Sequence, residues 1–103
     1  MAKNDPRLTQ RALLVLRYLL NDHRGRSGAD ISRATKVGPG TLYPMLARLE
    51  GSGWLSSEWE AIDPTVAGRP RRRFYKLTGV GQRKACAALA DLQIAEGEPV
   101  WVT

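Results

Sequence analysis

Residues 39–50 read Pro-Gly-Thr-Leu-Tyr-Pro-Met-Leu-Ala-Arg-Leu-Glu, and this stretch decides the fold. Its apolar residues follow the i, i+3, i+4, i+7 spacing of a helix that buries one face. They are Leu42, Met45, Leu46 and Leu49. Pro39 suits the first helical turn, where a missing N–H costs nothing. Pro44 removes one backbone hydrogen bond and is expected to bend this helix without ending it, because the apolar stripe continues in phase on both sides.

The residues before this helix predict two more helices and a tight turn. Thr9 is expected to cap a helix over about 9–20. Ser27 with Asp30 three residues later resembles a capping box, which would start a second helix over about 28–35. Residues 36–38 then form a three-residue turn that contains glycine, as a helix-turn-helix requires.

The residues after residue 50 predict a hairpin followed by a last helix. Strands are expected over about 54–59 and 71–77, with a loop over 60–70 between them. Trp59 and Tyr75 are expected to pack in the core or across the strands. Thr78 is expected to cap a helix over about 79–95, and an apolar tail over 97–103 follows it.

These elements predict a mainly α fold with a small β-hairpin, in the α+β class. The order of helices and hairpin is that of a winged helix-turn-helix with a C-terminal dimerisation helix. A chain of 103 residues is long enough for one domain and not two, so a single domain over 1–103 is expected.

Composition favours a polyanionic partner over catalysis. The chain carries a net charge of +6, with a sequence pI near 10.1, which promotes association with polyanions. One cysteine and one histidine cannot build a Cys/His metal site, and neither a nucleophile–base pair nor a glycine-rich phosphate loop is evident. We therefore expect no enzyme, no cofactor and no metal. The apolar run over 12–20 is too short to span a bilayer and is interrupted by Arg17, so we expect a cytoplasmic protein without membrane contact.

The outward face of the third helix and the basic bend of the hairpin predict a DNA-binding surface. An α-helix fits the major groove of B-DNA, and small outward residues let its backbone come close. A hairpin tip that carries guanidinium groups can follow phosphates or enter the minor groove. The residues predicted to contact DNA are Lys36, Gly40, Thr41, Tyr43, Pro44, Arg48, Arg69, Arg71, Arg72 and Arg73. The alternative for the third helix is that it only packs in the core and its outer face binds nothing. The alternative for the arginine cluster is that it is only a solvated surface.

Surplus apolar surface on the first and last helices predicts a homodimer. Residues 12–20 are apolar on nearly every side, although one stripe would suffice for packing on a single core. The residues predicted at the dimer interface are Leu8, Ala12, Val15, Leu19, Ala85, Ala88, Leu89 and Leu92. Trp101 in the tail is the candidate docking or ligand residue, and it would cover either its own domain or a partner subunit.

Three segments of the chain resemble the PadR family of transcriptional regulators. They are residues 39–50, residues 53–59 (Gly-Trp-Leu-Ser-Ser-Glu-Trp) and residues 68–81, which begin Gly-Arg-Pro-Arg-Arg-Arg. The resemblance implies a dimeric winged helix-turn-helix repressor that contacts DNA through Thr41, Tyr43 and the hairpin arginines. It also implies a small aromatic or amphipathic effector. The last helix of this chain has no tryptophan to hold a planar ligand, so an effector is expected less firmly than DNA.

These observations together predict a sequence-specific DNA-binding transcriptional regulator. We expect a repressor that binds a near-palindromic operator as a homodimer. Two other binding proteins fit the same residues: a winged-helix protein that binds RNA or the ribosome, and a module that binds only protein.

Overall fold

The chain folds into helices with a small antiparallel sheet, which confirms the expected fold class. The computed structural model describes residues 5–96, and the side chains as far as residue 92; Trp101 and the rest of the tail lie outside the described residues. In chain order the elements are α1 (Gln10–Asn21), β1 (Arg26–Ser27), α2 (Gly28–Thr35), α3 (Pro39–Gly51), β2 (Leu55–Trp59), α4 (Pro64–Ala67), β3 (Arg73–Leu77) and α5 (Gly79–Glu96).

The first two helices begin where their capping residues were expected. The Thr9 hydroxyl accepts a hydrogen bond from the Ala12 N–H at 3.1 Å, which satisfies one of the free donors of the first turn of α1. Ser27 and Asp30 form a reciprocal capping box at the start of α2. α2 ends at Lys36, whose backbone is left-handed with φ of 64°.

Two short elements were not expected. Strand β1 pairs with β3, with Arg26 opposite Tyr75, so the hairpin becomes a three-stranded sheet in the order β1-β3-β2. Helix α4 occupies part of the segment 60–70 that was expected to be a loop. Asp63 caps it by accepting the Thr65 N–H, and Pro64 stands at its first position. Both elements are too short to carry a period that a sequence pattern can detect.

The core lies between α1, α2, α3, α5 and the inner face of the sheet. The apolar stripe of α3 is buried as expected, with Leu42, Met45, Leu46 and Leu49 each no more than 3% exposed. Pro44 lies inside α3, which continues to Gly51. Tyr75 and Leu77 of β3 complete the core from the sheet.

Four residues expected at a dimer interface belong instead to this core. Ala12, Val15, Leu19 and Ala85 are between 0% and 3% exposed in the single chain. The reason is that α5 packs against α1 of the same chain and covers its second apolar face. These four residues therefore offer no surface to a partner. Of the other expected interface residues, Leu8, Ala88, Leu89 and Leu92 are partly exposed.

The start of α5 is held against the start of the hairpin. The Thr78 hydroxyl accepts the Gly81 N–H at 3.0 Å and donates to the Gly53 carbonyl at 2.6 Å. A Cβ at Gly81 would lie 2.0 Å from the Trp54 carbonyl oxygen, so only glycine permits this approach of helix to backbone. Between residues 5 and 96, no helix is long and apolar enough to cross a membrane.

Candidate nucleic-acid interface

The outward residues of α3 and the basic end of the hairpin lie on one side of the molecule. Tyr43 of α3, the start of α2 and residues 71–73 line one open cavity of about 410 Å³. Trp59 and Tyr75 form the rest of its sheet wall. A helix and a basic hairpin that share a cavity wall can contact one ligand at the same time.

The first turn of α3 is open to a ligand. Its N-cap residue is Gly38, which provides no side-chain hydrogen bond. Pro39 has no N–H, and the Thr41 N–H donates to the Gly38 carbonyl at 3.1 Å. Within the described residues, the Gly40 N–H of this turn is therefore left to an acceptor from outside the chain, and phosphate is the usual acceptor at such a position. Four residues along the outward face are small or neutral and are exposed: Gly40, Thr41, Pro44 and Ala47. Lys36 and Arg48 are exposed at the two ends of the same face.

Tyr43 lies against the start of α2. Its side chain is 46% exposed. A Cβ at Gly28 would come within 2.5 Å of both a ring carbon and the hydroxyl oxygen of Tyr43. The ring therefore occupies the space that any larger residue at position 28 would need, and this packing aims the phenol into the cavity.

Arg69 is paired within the hairpin. Its two terminal nitrogens donate to the two carboxylate oxygens of Glu60 at 2.7 and 2.9 Å. The hydrogen bonds from Arg69 lower the pKa of Glu60 from 4.5 to about 2, despite the opposing effect of burial. The Arg72 N–H donates to the same carboxylate at 3.3 Å. A phosphate would have to displace Glu60 to reach Arg69, so the predicted DNA contact of Arg69, which stays a prediction, competes with this ion pair.

Arg73 is also paired within the hairpin region, although its side chain is 40% exposed. Its Nε donates to the Ser57 hydroxyl at 2.8 Å, and its Nη2 lies 3.3 Å from a Glu50 carboxylate oxygen. Its guanidinium carbon lies 5.3 Å from the centre of the Trp59 ring. The expectation for Trp59 was core or cross-strand packing. It is 62% exposed and thus outside the core, but it does pack across the strands, against Arg73.

Arg71 and Arg72 are the exposed arginines of the hairpin. The Arg71 Nε donates to the Ile62 carbonyl at 2.9 Å, and its two terminal nitrogens have no partner among the described residues. Among residues 5–96, no acceptor is found for the Arg72 guanidinium. An exposed guanidinium with unused donors is suited to phosphate oxygens. These two residues are therefore the strongest candidates in the hairpin for contact with DNA.

The opposite face of the hairpin carries a second cavity of about 430 Å³ with a different character. Its lining residues are Gly25, Ser56, Ser57, Glu58, Trp59, Glu60, Ala61, Phe74 and Lys76. Glu58 and Lys76 carry opposite charges, so this face lacks the uniform positive charge of a polyanion surface. Within the described residues, no group of three acidic, histidine or cysteine side chains is placed to hold a metal ion.

The sequence interpretation missed Gly28, Glu50, Ser57 and Glu60. Each acts on a predicted site residue: Gly28 on Tyr43, Glu50 and Ser57 on Arg73, and Glu60 on Arg69. The hairpin register was the available signal, because it places Ser57 opposite Tyr75 and Trp59 opposite Arg73. Without the strand ends, that register cannot be assigned from the sequence.

Comparison with known proteins points to regulators of transcription. The model of the "Transcriptional regulator PadR-like family" matches residues 27–87. A curated protein of Mycobacterium tuberculosis, transcriptional regulator Rv3488, is 49% identical over 47 residues, which are 46% of this chain and 39% of that protein. The chain thus matches about two-fifths of the length of this relative.

Solved structures show the same architecture. A PadR-like transcription factor from Bacteroides fragilis is 30% identical with a TM-score of 0.67, over 85% of this chain and 87% of that chain. A PadR family regulator from Eggerthella lenta is 25% identical with a TM-score of 0.70, over 84% of this chain and 78% of that one. Reduced AbfR bound to DNA is 31% identical with a TM-score of 0.62, over 78% of this chain and 55% of that one.

Proposed function

Since the chain belongs to the PadR-like family of transcriptional regulators, we propose that it regulates transcription by binding specific DNA sequences through α3 and the β2–β3 hairpin. The observation that carries this proposal is the shared cavity of Tyr43 and residues 71–73. A helix seated in a major groove and a hairpin on the adjoining phosphates need this arrangement. The relative AbfR, solved in complex with DNA, supports the same partner.

In this proposal α3 reads bases and the hairpin anchors the protein. Thr41 and Tyr43 contact base edges from the sides of the slim outward face, while Gly40, Pro44 and Ala47 let the helix backbone approach. Lys36, Arg48, Arg71 and Arg72 neutralise phosphates. Side chains at base edges carry sequence information, whereas phosphate contacts set register and affinity.

We further propose that the protein is a homodimeric repressor. Two copies of α3 would enter successive major grooves about 34 Å apart, so the operator is nearly palindromic. Ala88, Leu89 and Leu92 on α5, with Leu8, supply the partly exposed apolar surface for the dimer. A dimer across two grooves would block access to promoter DNA. A small aromatic effector remains a secondary proposal that rests on the family resemblance.

The test is selection from a random pool of duplex DNA, followed by gel-shift titration with the selected duplex, a scrambled duplex and the RNA duplex of the same sequence. We expect the selected duplex to bind at least about 10³-fold more tightly than the scrambled one. The RNA duplex should bind no better than the scrambled DNA, because the deep, narrow major groove of A-form RNA does not admit a helix. Preference for RNA, or a pool that is not enriched, would overturn the proposal.

A further inference from the structure

Three side chains form a closed hydrogen-bonded cluster between the end of α3 and the hairpin. One Glu50 carboxylate oxygen accepts the Ser57 hydroxyl at 2.6 Å, and the other lies 3.3 Å from Arg73 Nη2. Ser57 in turn accepts the Arg73 Nε–H at 2.8 Å. The cluster therefore contains one residue each from α3, β2 and β3.

Two aromatic rings restrict the Arg73 guanidinium further. Its central carbon lies 5.3 Å from the Trp59 ring centre and 5.9 Å from the Tyr75 ring centre. Both distances are within the range of cation–π attraction. Tyr75 is a core residue at 7% exposure, so the guanidinium is fixed against a rigid wall. An arginine held by two hydrogen-bonding partners and two rings is not a free phosphate ligand.

The cluster lies where it can control the geometry of DNA binding. The backbone connection between α3 and β2 runs through Gly53, whose φ of 82° marks a tight turn. Beyond that turn, the cluster is a polar side-chain link between the hairpin and α3, in addition to the apolar packing of the core. A rotation of the hairpin about the turn would move Arg71 and Arg72 relative to Thr41 and Tyr43.

We propose that Arg73 is a positioning residue, which holds the hairpin at a set angle to α3 through Glu50 and Ser57 and so matches the two contact surfaces to one DNA duplex. This inference rests on the proposed function and replaces the expectation that Arg73 contacts DNA. Arg73 acts through the position of Arg71 and Arg72, and not by touching phosphate.

Substitution of Glu50 distinguishes a positioning role of Arg73 from a DNA-contact role, because the two roles predict opposite changes in DNA affinity. If Arg73 positions the hairpin, Glu50→Gln removes an anchor and weakens binding to the selected duplex by roughly tenfold, the scale of coupling between contacting residues. If Arg73 is a DNA contact, Glu50→Gln releases its guanidinium and tightens binding. Arg73→Lys keeps the charge but loses the planar fork, so we expect it to weaken binding as Glu50→Gln does.

Glu58→Gln is the matched control. Glu58 is an exposed acid on the same strand as Ser57 but on the outer face of the hairpin, and its loss changes the net charge by the same amount. Binding to the scrambled duplex and the slope of log K against log salt should be alike in Glu50→Gln and Glu58→Gln, because neither substitution removes a phosphate contact. Glu50→Gln binding the selected duplex as tightly as Glu58→Gln, or more tightly, would overturn the proposal.

A measurement on the free protein keeps this inference separate from the proposed function. The Arg73 Nε–H, observed by nitrogen-15 NMR, should exchange with water at least about ten times more slowly than the Arg72 Nε–H, because hydrogen bonding protects it. Ser57→Ala should remove most of that protection, because the Ser57 hydroxyl is the acceptor of this N–H. If no DNA duplex is selected, the proposed function fails while this protection still supports the cluster. Equal exchange at Arg72 and Arg73 would overturn the positioning role whatever the protein binds.

Discussion

The Tyr43 ring covers Gly28 so closely that a methyl group on Gly28 would stand 2.5 Å from the Tyr43 hydroxyl. Helices α2 and α3 thus meet where α2 has no side chain, at Gly28, and the Tyr43 ring of α3 occupies the space that this leaves. The same contact directs Tyr43 into the cavity that it shares with residues 71–73. A residue that is not itself expected to touch DNA therefore controls one that is.

Gly28→Ala should move the Tyr43 ring without removing any of its chemical groups. We expect the variant to stay folded, because the phenol is the end of a side chain that can rotate away. Its preference among operator variants should change at the bases that Tyr43 contacts, with a loss of about 1–3 kcal/mol at the best base. The measurement is a competition titration against single-base operator variants. Gly51→Ala is the control, since a methyl group there meets open space; an unchanged base preference in Gly28→Ala would show that Tyr43 does not read bases.

The arginines of the hairpin should differ in the salt dependence of DNA binding. Combined Arg71→Ala and Arg72→Ala should reduce the slope of log K against log salt by about two units, because each neutralised phosphate contributes about 0.9. Affinity should fall similarly for selected and scrambled duplexes. Arg17→Ala, on the exposed side of α1, removes a charge elsewhere and should leave the slope within error. If the double variant and the wild type gave the same slope, neither Arg71 nor Arg72 would contact a phosphate.

The Arg69–Glu60 pair should make stability depend on pH in acid. The folded pKa of Glu60 is about 2, below its ordinary 4.5, so ionised Glu60 stabilises the folded chain above pH 4.5. That contribution is lost as the pH falls from 4.5 towards 2. The excess melting temperature of the wild type over Glu60→Gln should be constant at neutral pH and shrink towards zero in this window. Glu58→Gln controls for the change of net charge, and a Glu60→Gln difference that did not vary with pH would contradict the pairing.

The partly exposed apolar side of α5 should hold the dimer together. The wild type should sediment at twice the 11.4 kDa chain mass at concentrations of about tens of micromolar. Leu89→Glu should dissociate it, because burying an unpaired carboxylate in an apolar interface is costly. Ala87→Glu places the same charge on an exposed position two residues away and should leave the dimer intact. A monomeric wild type would contradict the dimer. Dissociation by Ala87→Glu and not by Leu89→Glu would show that the interface lies on another face.

Local periodicity was enough to predict the parts of the fold that depend on near neighbours. The burial of Leu46 and Leu49 follows from the helical repeat, and the capping box at Ser27 follows from a spacing of three residues. The basic hairpin and the slim face of α3 could be named for the same reason. Both features consist of residues that are close together in the sequence, so a local pattern is enough to find them.

Contacts between distant residues could not be predicted in this way. The pairing of Arg73 with Glu50 spans 23 positions and depends on where each strand begins. Burial of Val15 by α5 of the same chain is indistinguishable, in a sequence pattern, from burial by a second copy. Asp63 before Pro64 did carry a signal for α4, since these residues favour an N-cap and a first helical position. Nearby glycine and proline favoured a loop instead.

One NMR titration tests most directly whether α3 and the hairpin bind the same DNA duplex. The nitrogen-15 labelled protein is titrated with the selected duplex, and backbone shifts are followed residue by residue. We predict that Thr41 and Tyr43 shift together with Arg71 and Arg72 at a single midpoint, while Ser56 and Lys76 on the outer face of the hairpin stay in place. Shifts centred on Ser56 and Lys76, or separate midpoints for α3 and the hairpin, would contradict the account.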